Sequence, residues 1–247
     1  MIQYKAYSNS GSRSINEDRM GAVVEGDSCC FAVADGLGGH GNGEVAAQLA
    51  IDAVCGIFLK NGYTEDFFEN AFEAAQEAIL AEQERRHAPS GMKTTLVVLV
   101  IDGGMVRWAH IGDSRLYIFK RNKVKTRTLD HSVPQMLVKS GEIKEKDIRN
   151  HPDRNRLMRV LGIKGEKPKL EIGPQMNLAG CQAFLLCSDG YWELIEEKKM
   201  GQLLKSSSTP EEWIEKMNES VRSNGKDMEM DNYTAIAVFC DKGRWFW

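Results

Sequence analysis

Several short segments of the chain are apolar at every position instead of at alternate ones. Examples are Phe31–Ala34, Leu96–Ile101 and Phe184–Leu186, a pattern typical of strands that are buried on both faces. The connections Asp102–Gly104 and Arg121–Asn122 are too short for a parallel crossover, so the strands that they join must pair antiparallel. The pattern therefore predicts antiparallel sheets that are covered on both sides.

Three amphipathic helices are predicted to provide the outer cover. They span Glu44–Lys60, Thr64–Arg86 and Pro210–Val221, where apolar residues recur at helical spacing. Two stacked sheets with helices on their outer faces give an α+β fold, a four-layer α-β-β-α sandwich. From about 133 to 166 the pattern becomes polar and mixed in charge, which predicts an insertion over the sheets. Since no repeat or linker interrupts the chain, residues 1–247 are predicted to form one domain.

Composition excludes several classes of protein. With 42% hydrophobic and 27% charged residues, the 247-residue chain has the balance of a soluble globular protein. Its 35 acidic and 32 basic residues give a net charge of −3, whereas a protein that binds nucleic acid through phosphates should be basic. The longest apolar runs fall far short of a membrane helix and no signal peptide is evident. We therefore expect a cytoplasmic protein that binds neither membrane nor nucleic acid.

Aspartates lie at the ends of several predicted strands. Asp35 and Asp189 follow strands, Asp18 and Asp231 precede them, and Asp113 lies between two. Acids at strand ends can converge on one edge of a sheet, where they repel one another unless they share a hard divalent cation. All-oxygen ligation indicates Mg²⁺, Mn²⁺ or Ca²⁺.

Each acid taken alone has a simpler interpretation. Asp35, Asp102 and Asp189 are all followed by glycine, and Asp-Gly is ordinary turn chemistry. We assign Asp102 to such a turn. The other two need support from their surroundings.

That support comes from an ordered series of motifs. The chain contains Arg13-Ser-Ile-Asn-Glu-Asp18, Ala34-Asp-Gly-Leu-Gly-Gly-His40, Lys93-Thr-Thr-Leu96 and Gly112-Asp-Ser-Arg115, followed by Asp130-His-Ser132, His151-Pro-Asp-Arg-Asn155, Ser188-Asp-Gly190 and Asp231-Asn232. This series resembles the metal-dependent protein phosphatase family of type 2C (the PPM family) in its compact bacterial form. The resemblance runs from about Tyr4 to Phe239, and it implies the same α-β-β-α sandwich.

The resemblance also implies a role for each acid. Asp35 would bridge two metal ions, Mn²⁺ or Mg²⁺, and the carbonyl of Gly36 would help to hold one of them. Asp189 and Asp231 would complete the second site, and Glu17 and Asp18 would hold metal-bound waters. Asp113 with Asp189 would form a third, weaker site. Arg13 would bind the substrate phosphate, which suits a bidentate guanidinium.

These roles imply hydrolysis of phosphoserine and phosphothreonine in proteins, by a hydroxide that bridges the two metals. The expected partners are phosphoproteins, opposite a serine/threonine kinase, and the expected state is a monomer. The insertion would be a flap beside the active site. One alternative is a catalytically silent member of the fold that binds phosphoproteins; another is a two-metal nuclease or nucleotide phosphatase, which the acidic charge disfavours.

Some features of the sequence have no assigned catalytic role. Leu37 stands where animal members carry a histidine that is proposed as the general acid. We expect His40 to shape its loop instead of donating the proton. Asp130-His-Ser132 lists the members of a hydrolase triad, but neighbours along an extended chain cannot converge, so we interpret it as the structural entry to the insertion. The basic run from 120 to 127 is interpreted as a solvated hairpin.

Overall fold

The computed structural model describes residues 2–38, 42–87, 91–165 and 167–240. The described α-helices are α1 (Gly43–Asn61), α2 (Phe67–Arg85), α3 (Val133–Ser140), α4 (Asp189–Trp192), α5 (Glu197–Lys205) and α6 (Pro210–Gly225). The described strands are β1 (Ile2–Asn9), β2 (Asp18–Glu25), β3 (Ser28–Leu37), β4 (Lys93–Thr94), β5 (Leu96–Asp102), β6 (Met105–Ile111), β7 (Arg115–Lys120), β8 (Lys123–Arg127), β9 (Glu171–Ile172), β10 (Met176–Asn177), β11 (Ala183–Cys187) and β12 (Tyr233–Cys240).

The strands form two antiparallel sheets. One has the order β10-β6-β5-β3-β2, with β4 beside β3 and β9 beside β6, and the other has the order β1-β12-β11-β7-β8. Helices α1 and α2 cover the first sheet, while α5 and α6 pack against the second. The predicted α-β-β-α sandwich is confirmed.

The uninterrupted apolar strands are explained by the cores of the fold, because each sheet has one apolar core on each of its two faces. In β3, Phe31 and Val33 face the second sheet in the central core, while Ala32 and Ala34 face α1. Because alternate residues point to opposite faces, both sets must be apolar. The alanines let the helix approach closely, and the larger residues fill the space between the sheets.

Several boundaries differ from the prediction; helix α6, for example, ends at Gly225 instead of Val221. Helix α2 begins at Phe67 instead of Thr64, because the Thr64 hydroxyl bonds to the Asp66 carboxylate at 2.7 Å in a turn ahead of the helix. Strand β3 continues through Asp35 to Leu37, because β4 pairs with Gly36 and Leu37. Asp35 therefore lies within a strand instead of just after it.

The segment that follows β8 packs on both halves of the fold. It contains α3 and a 3₁₀ turn (Glu145–Asn150), whose Ile148 enters the core outside the second sheet. Further on, Leu161 enters the core beneath α1 and α2. Glu166, the predicted end of the insertion, lies outside the described residues. Among the described helices, none combines the length and apolar character that crossing a bilayer would take.

Candidate active site

Strand pairing brings the predicted acids to one end of the sandwich. Asp18 in β2 is directly opposite Asp35 in β3. Asp189 opens α4 directly after β11, and Asp231 precedes the neighbouring strand β12. Asp113 lies in the loop between β6 of one sheet and β7 of the other. Acids that are up to about 200 residues apart thus share one rim of the two sheets.

A cleft of about 460 Å³ opens at this rim. Every predicted site residue except Asp18 lines it, together with two residues of the predicted flap. The lining consists of Arg13, Ser14, Ile15, Glu17, Asp35, Gly36, Leu37, Gly38, Asp113, Asn155, Leu157, Asp189, Asp231 and Asn232. The arrangement places five carboxylates and one guanidinium around a single space.

Asp18 lies beneath the cleft and is only 2% exposed. Its Oδ2 accepts a hydrogen bond from the Ser188 hydroxyl at 2.7 Å. Its Oδ1 is buried and has no hydrogen-bond partner among the described residues. Burial, opposed in part by the Ser188 bond, raises the pKa of Asp18 to about 7. A buried carboxylate oxygen without a donor is a position at which a cation or its bound water would fit.

The pKa values of the other buried acids are raised as well. Burial raises the pKa of Asp35, and the neighbouring Asp189 raises it further. Burial and Asp189 likewise raise the pKa of Asp113, while burial and Asp231 raise that of Asp189. These carboxylates therefore disfavour being charged together unless a cation offsets their repulsion. The all-oxygen donor set fits Mg²⁺ or Mn²⁺.

Asp35 is held by Thr94 of β4 and by Thr95, which lies between β4 and β5. Its N–H donates to the Thr95 hydroxyl at 3.0 Å, and its carbonyl accepts from the Thr94 hydroxyl and from the Thr95 N–H, both at 2.9 Å. The Thr95 hydroxyl also bonds to that of Ser114 at 2.8 Å. Through this pair of hydroxyls, Thr95 links Asp35 to the loop that carries Asp113.

Gly36 fills a position that no other residue type could occupy. A Cβ there would lie 2.2 Å from the carbonyl oxygen of Gly43, at the start of α1. Its neighbour Glu17 accepts from the Gly43 N–H at 3.2 Å, and burial raises the pKa of this carboxyl. The first turn of α1 and the acidic loop are therefore packed directly against β3.

Arg13 pairs with Asp231 at the mouth of the cleft. Its Nε and Nη2 donate to the two carboxylate oxygens at 3.1 and 3.0 Å. Asn232 holds the same loop, because its Oδ1 accepts from the Glu17 N–H at 2.7 Å and its Nδ2 donates to the Ile15 carbonyl at 3.0 Å. The guanidinium that was predicted to bind phosphate therefore lies beside a predicted metal ligand.

The residues of the Asp130-His-Ser motif diverge, as the sequence predicted. Asp130 forms a buried bidentate pair with Arg115 at 2.8 and 2.6 Å. The Ser132 hydroxyl caps α3. His131 forms two hydrogen bonds with the backbone of Gly112. The backbone N–H of His131 donates to the Gly112 carbonyl at 2.9 Å, and the ring Nδ1 of His131 accepts from the Gly112 N–H at 3.2 Å. The motif supports the Asp113 loop instead of forming a triad.

His110 and His131 meet Glu171 away from the cleft, with possible donor atoms within 4.8 Å of one another. The two rings stack at 4.6 Å with only 9° between their planes. Lone pairs in parallel planes do not converge on one ion, and the bond from Gly112 leaves the proton of neutral His131 on Nε2. The pair is a packing contact, which the sequence did not reveal. His40 lies outside the described residues.

Several residues that shape the site received no role from the sequence. Thr95, Ser188 and Asn232 all stood inside quoted motifs, but only the acids beside them suggested chemistry. Trp192 and Leu157 carried no signal at all. Their contribution depends on contacts between distant segments, which spacing along the chain does not encode.

Comparison with known proteins agrees with this site. The family model described as "Protein phosphatase 2C" matches residues 7–233. The chain belongs to this family. It is 32% identical to the serine/threonine phosphatase stp of Listeria monocytogenes over 94% of both chains. It is also 31% identical to the serine/threonine protein phosphatase PstP of Mycobacterium tuberculosis, over 92% of this chain and 43% of that protein. The predicted family and enzyme class are confirmed.

Solved structures give the same fold. Stp1 of Staphylococcus aureus superposes with a TM-score of 0.87 at 24% identity, over 98% of this chain and 96% of that one. The catalytic domain of PstP, described as a complex with two manganese ions, superposes with a TM-score of 0.78 at 28% identity. It covers 96% of this chain and 97% of that domain. Type 2C phosphatases are metal-dependent as a family.

Proposed function

We propose that this type 2C phosphatase hydrolyses phosphoserine and phosphothreonine monoesters of proteins with two divalent cations, Mn²⁺ or Mg²⁺. The observation that carries the proposal is the convergence of Asp35, Asp113, Asp189 and Asp231 on one cleft beside Arg13, with Asp18 buried directly beneath it. A catalytically silent binding protein would not need an acid cluster whose charges repel one another.

The residues divide into a central pair of cation sites and a weaker third one. Asp35, with the Gly36 carbonyl, would hold the first ion, and Asp35, Asp189 and Asp231 the second. Glu17 and Asp18 would act on their water shell, and Asp113 with Asp189 would hold the third ion. Bound cations supply positive charge that makes water a nucleophile near neutral pH and stabilises the phosphoryl oxygens.

Arg13 would orient the phosphate. Its side chain is 60% exposed at the mouth of the cleft, and its guanidinium already holds a carboxylate in a two-point contact. The same geometry suits two oxygens of a phosphate monoester. A phosphate that enters the cleft would replace Asp231 as the partner of the Arg13 guanidinium. Asp231 would then be free to act as the proposed metal ligand.

The substrate would be a protein, and the flap would shape its choice. Asn155 and Leu157, in the segment between β8 and β9, line one wall of the cleft, so residues next to the phosphorylated side chain would contact them. We further propose that the chain acts as a monomer of one domain and reverses the action of a serine/threonine kinase.

A set of Asp-Gly variants tests this proposal. Asp35→Asn and Asp189→Asn should each lower kcat on a phosphothreonine peptide by at least about 10²-fold with Mn²⁺ present. Asp102→Asn is the matched control, because Asp102 is also followed by glycine but is the last residue of β5, directly before the β5–β6 turn in which the sequence had placed it. Chelation by EDTA should abolish activity. Undiminished turnover without metal, or a nucleotide preferred to the phosphopeptide, would contradict the proposal.

A further inference from the structure

The loop that carries Asp113 is joined to α4, which carries Asp189, by one tryptophan. Trp192 closes α4, three residues after Asp189, and is 2% exposed. Its indole N–H donates to the backbone carbonyl of Asp113 at 3.0 Å. Other hydrogen bonds hold the neighbours of Asp113, through Gly112 and Ser114, whereas Trp192 acts on Asp113 itself.

The indole is in turn fixed by a buried cation. The Arg115 guanidinium lies over the Trp192 ring, 3.3 Å from its centroid. Arg115 is itself locked by the bidentate pair with Asp130. A guanidinium that is held in a buried ion pair thus covers one face of the ring and helps to set the direction of its N–H. Trp192 therefore ties the Asp113 peptide to the helix that begins with Asp189.

We propose that Trp192 is a positioning residue, whose indole N–H holds the Asp113 peptide so that the Asp113 and Asp189 carboxylates together bind the weakest of the divalent cations. This inference rests on the proposed function for the identity of the ligands. Without the N–H, the Asp113 carbonyl would turn toward another donor, and the carboxylate of the same residue would move with it.

The chain contains a matched control for this bond. Trp213 is also buried, and its indole N–H also donates to a backbone carbonyl at 3.0 Å, that of Met200. This contact lies in the core outside the second sheet, against Phe119 and Phe239. Trp192→Phe and Trp213→Phe therefore remove the same ring volume and the same type of hydrogen bond, but only the first frees Asp113.

The test compares Mn²⁺ binding by wild type and both variants, by calorimetry and by the electron paramagnetic resonance signal of free Mn²⁺. Trp192→Phe should weaken the weakest class of sites by on the order of 3- to 30-fold, part of the effect of losing a buried hydrogen bond. The Mn²⁺ affinity of the tighter class of sites should change by less than about threefold. Trp213→Phe should leave both classes unchanged, and thermal unfolding in EDTA should show that both variants are folded.

Equal shifts in the two variants, or no shift in Trp192→Phe, would overturn the inference. The proposed function is judged separately, on hydrolysis of a phosphopeptide by the wild type with Mn²⁺. If that hydrolysis is absent, the proposed function fails, while the difference in Mn²⁺ affinity between the two variants still decides the role of Trp192.

Discussion

Replacing Asp18 by asparagine should stabilise the metal-free protein while weakening its hold on metal. Burial raises the pKa of Asp18 from 3.8 to about 7, so between these values the folded chain binds a proton that the unfolded chain has lost. The unfolding free energy therefore falls as the pH rises through this window. At pH 8 the difference in pKa corresponds to a cost of up to about 4 kcal/mol, and at pH 5 to about 2 kcal/mol. Asparagine does not ionise and removes this cost.

Urea unfolding in EDTA at pH 5 and pH 8 measures the effect. Asp18→Asn should gain more stability relative to wild type at pH 8 than at pH 5, by about 2 kcal/mol. Added Mn²⁺ should then reverse the order at pH 8, since a bound cation stabilises the folded state and the wild type retains the charge that it needs. The matched control is Asp102→Asn at the end of β5, which should show no pH-dependent gain. A stabilisation of Asp18→Asn that does not depend on pH would refute the reasoning.

Three further variants test the contacts around the site. Arg13→Ala should lower kcat/KM by on the order of 10–10³-fold because the phosphate loses its two-point contact. Steady-state kinetics with saturating Mn²⁺ that match wild type would show that Arg13 does not bind the phosphate. Thr95→Val leaves the Asp35 N–H unpaired and should cost about 1–3 kcal/mol in urea unfolding, whereas Thr95→Ser keeps the hydroxyl and should cost less. Asp130→Asn leaves the buried Arg115 charge without its carboxylate, so we expect a loss of about 3–5 kcal/mol by the same measurement; a loss below about 1 kcal/mol would contradict that reasoning.

Local patterns in the sequence were sufficient to predict the layers of the fold. Segments such as Phe31–Ala34 and Leu96–Ile101 are apolar on both faces, and this requires cover on both sides. The Arg121–Asn122 connection forms the predicted tight turn, with φ of 52° and 58° at its two residues. Helix α2 began later than predicted, because a side-chain bond at Thr64 competes with the helix.

The acids of the site were also visible in the sequence, because each stands at the end of a predicted strand, inside a recognisable motif. Their common location was an expectation until the register placed Asp18 opposite Asp35 and brought β1 beside β12. Pairing of this kind joins residues more than 200 positions apart, as in the contact of Arg13 with Asp231. No local pattern fixes such a contact, since it depends on how both sheets close.

Only the tertiary structure decided how the acids are supported. The Asp18 oxygen that has no partner among the described residues, the Thr95 link to the Asp113 loop and the stack of His110 on His131 all arise where separate elements meet. Trp192 shows the physical reason most clearly. A buried tryptophan in the sequence predicts packing, and the direction of its N–H toward Asp113 follows only from the ring orientation that Arg115 and the surrounding core impose.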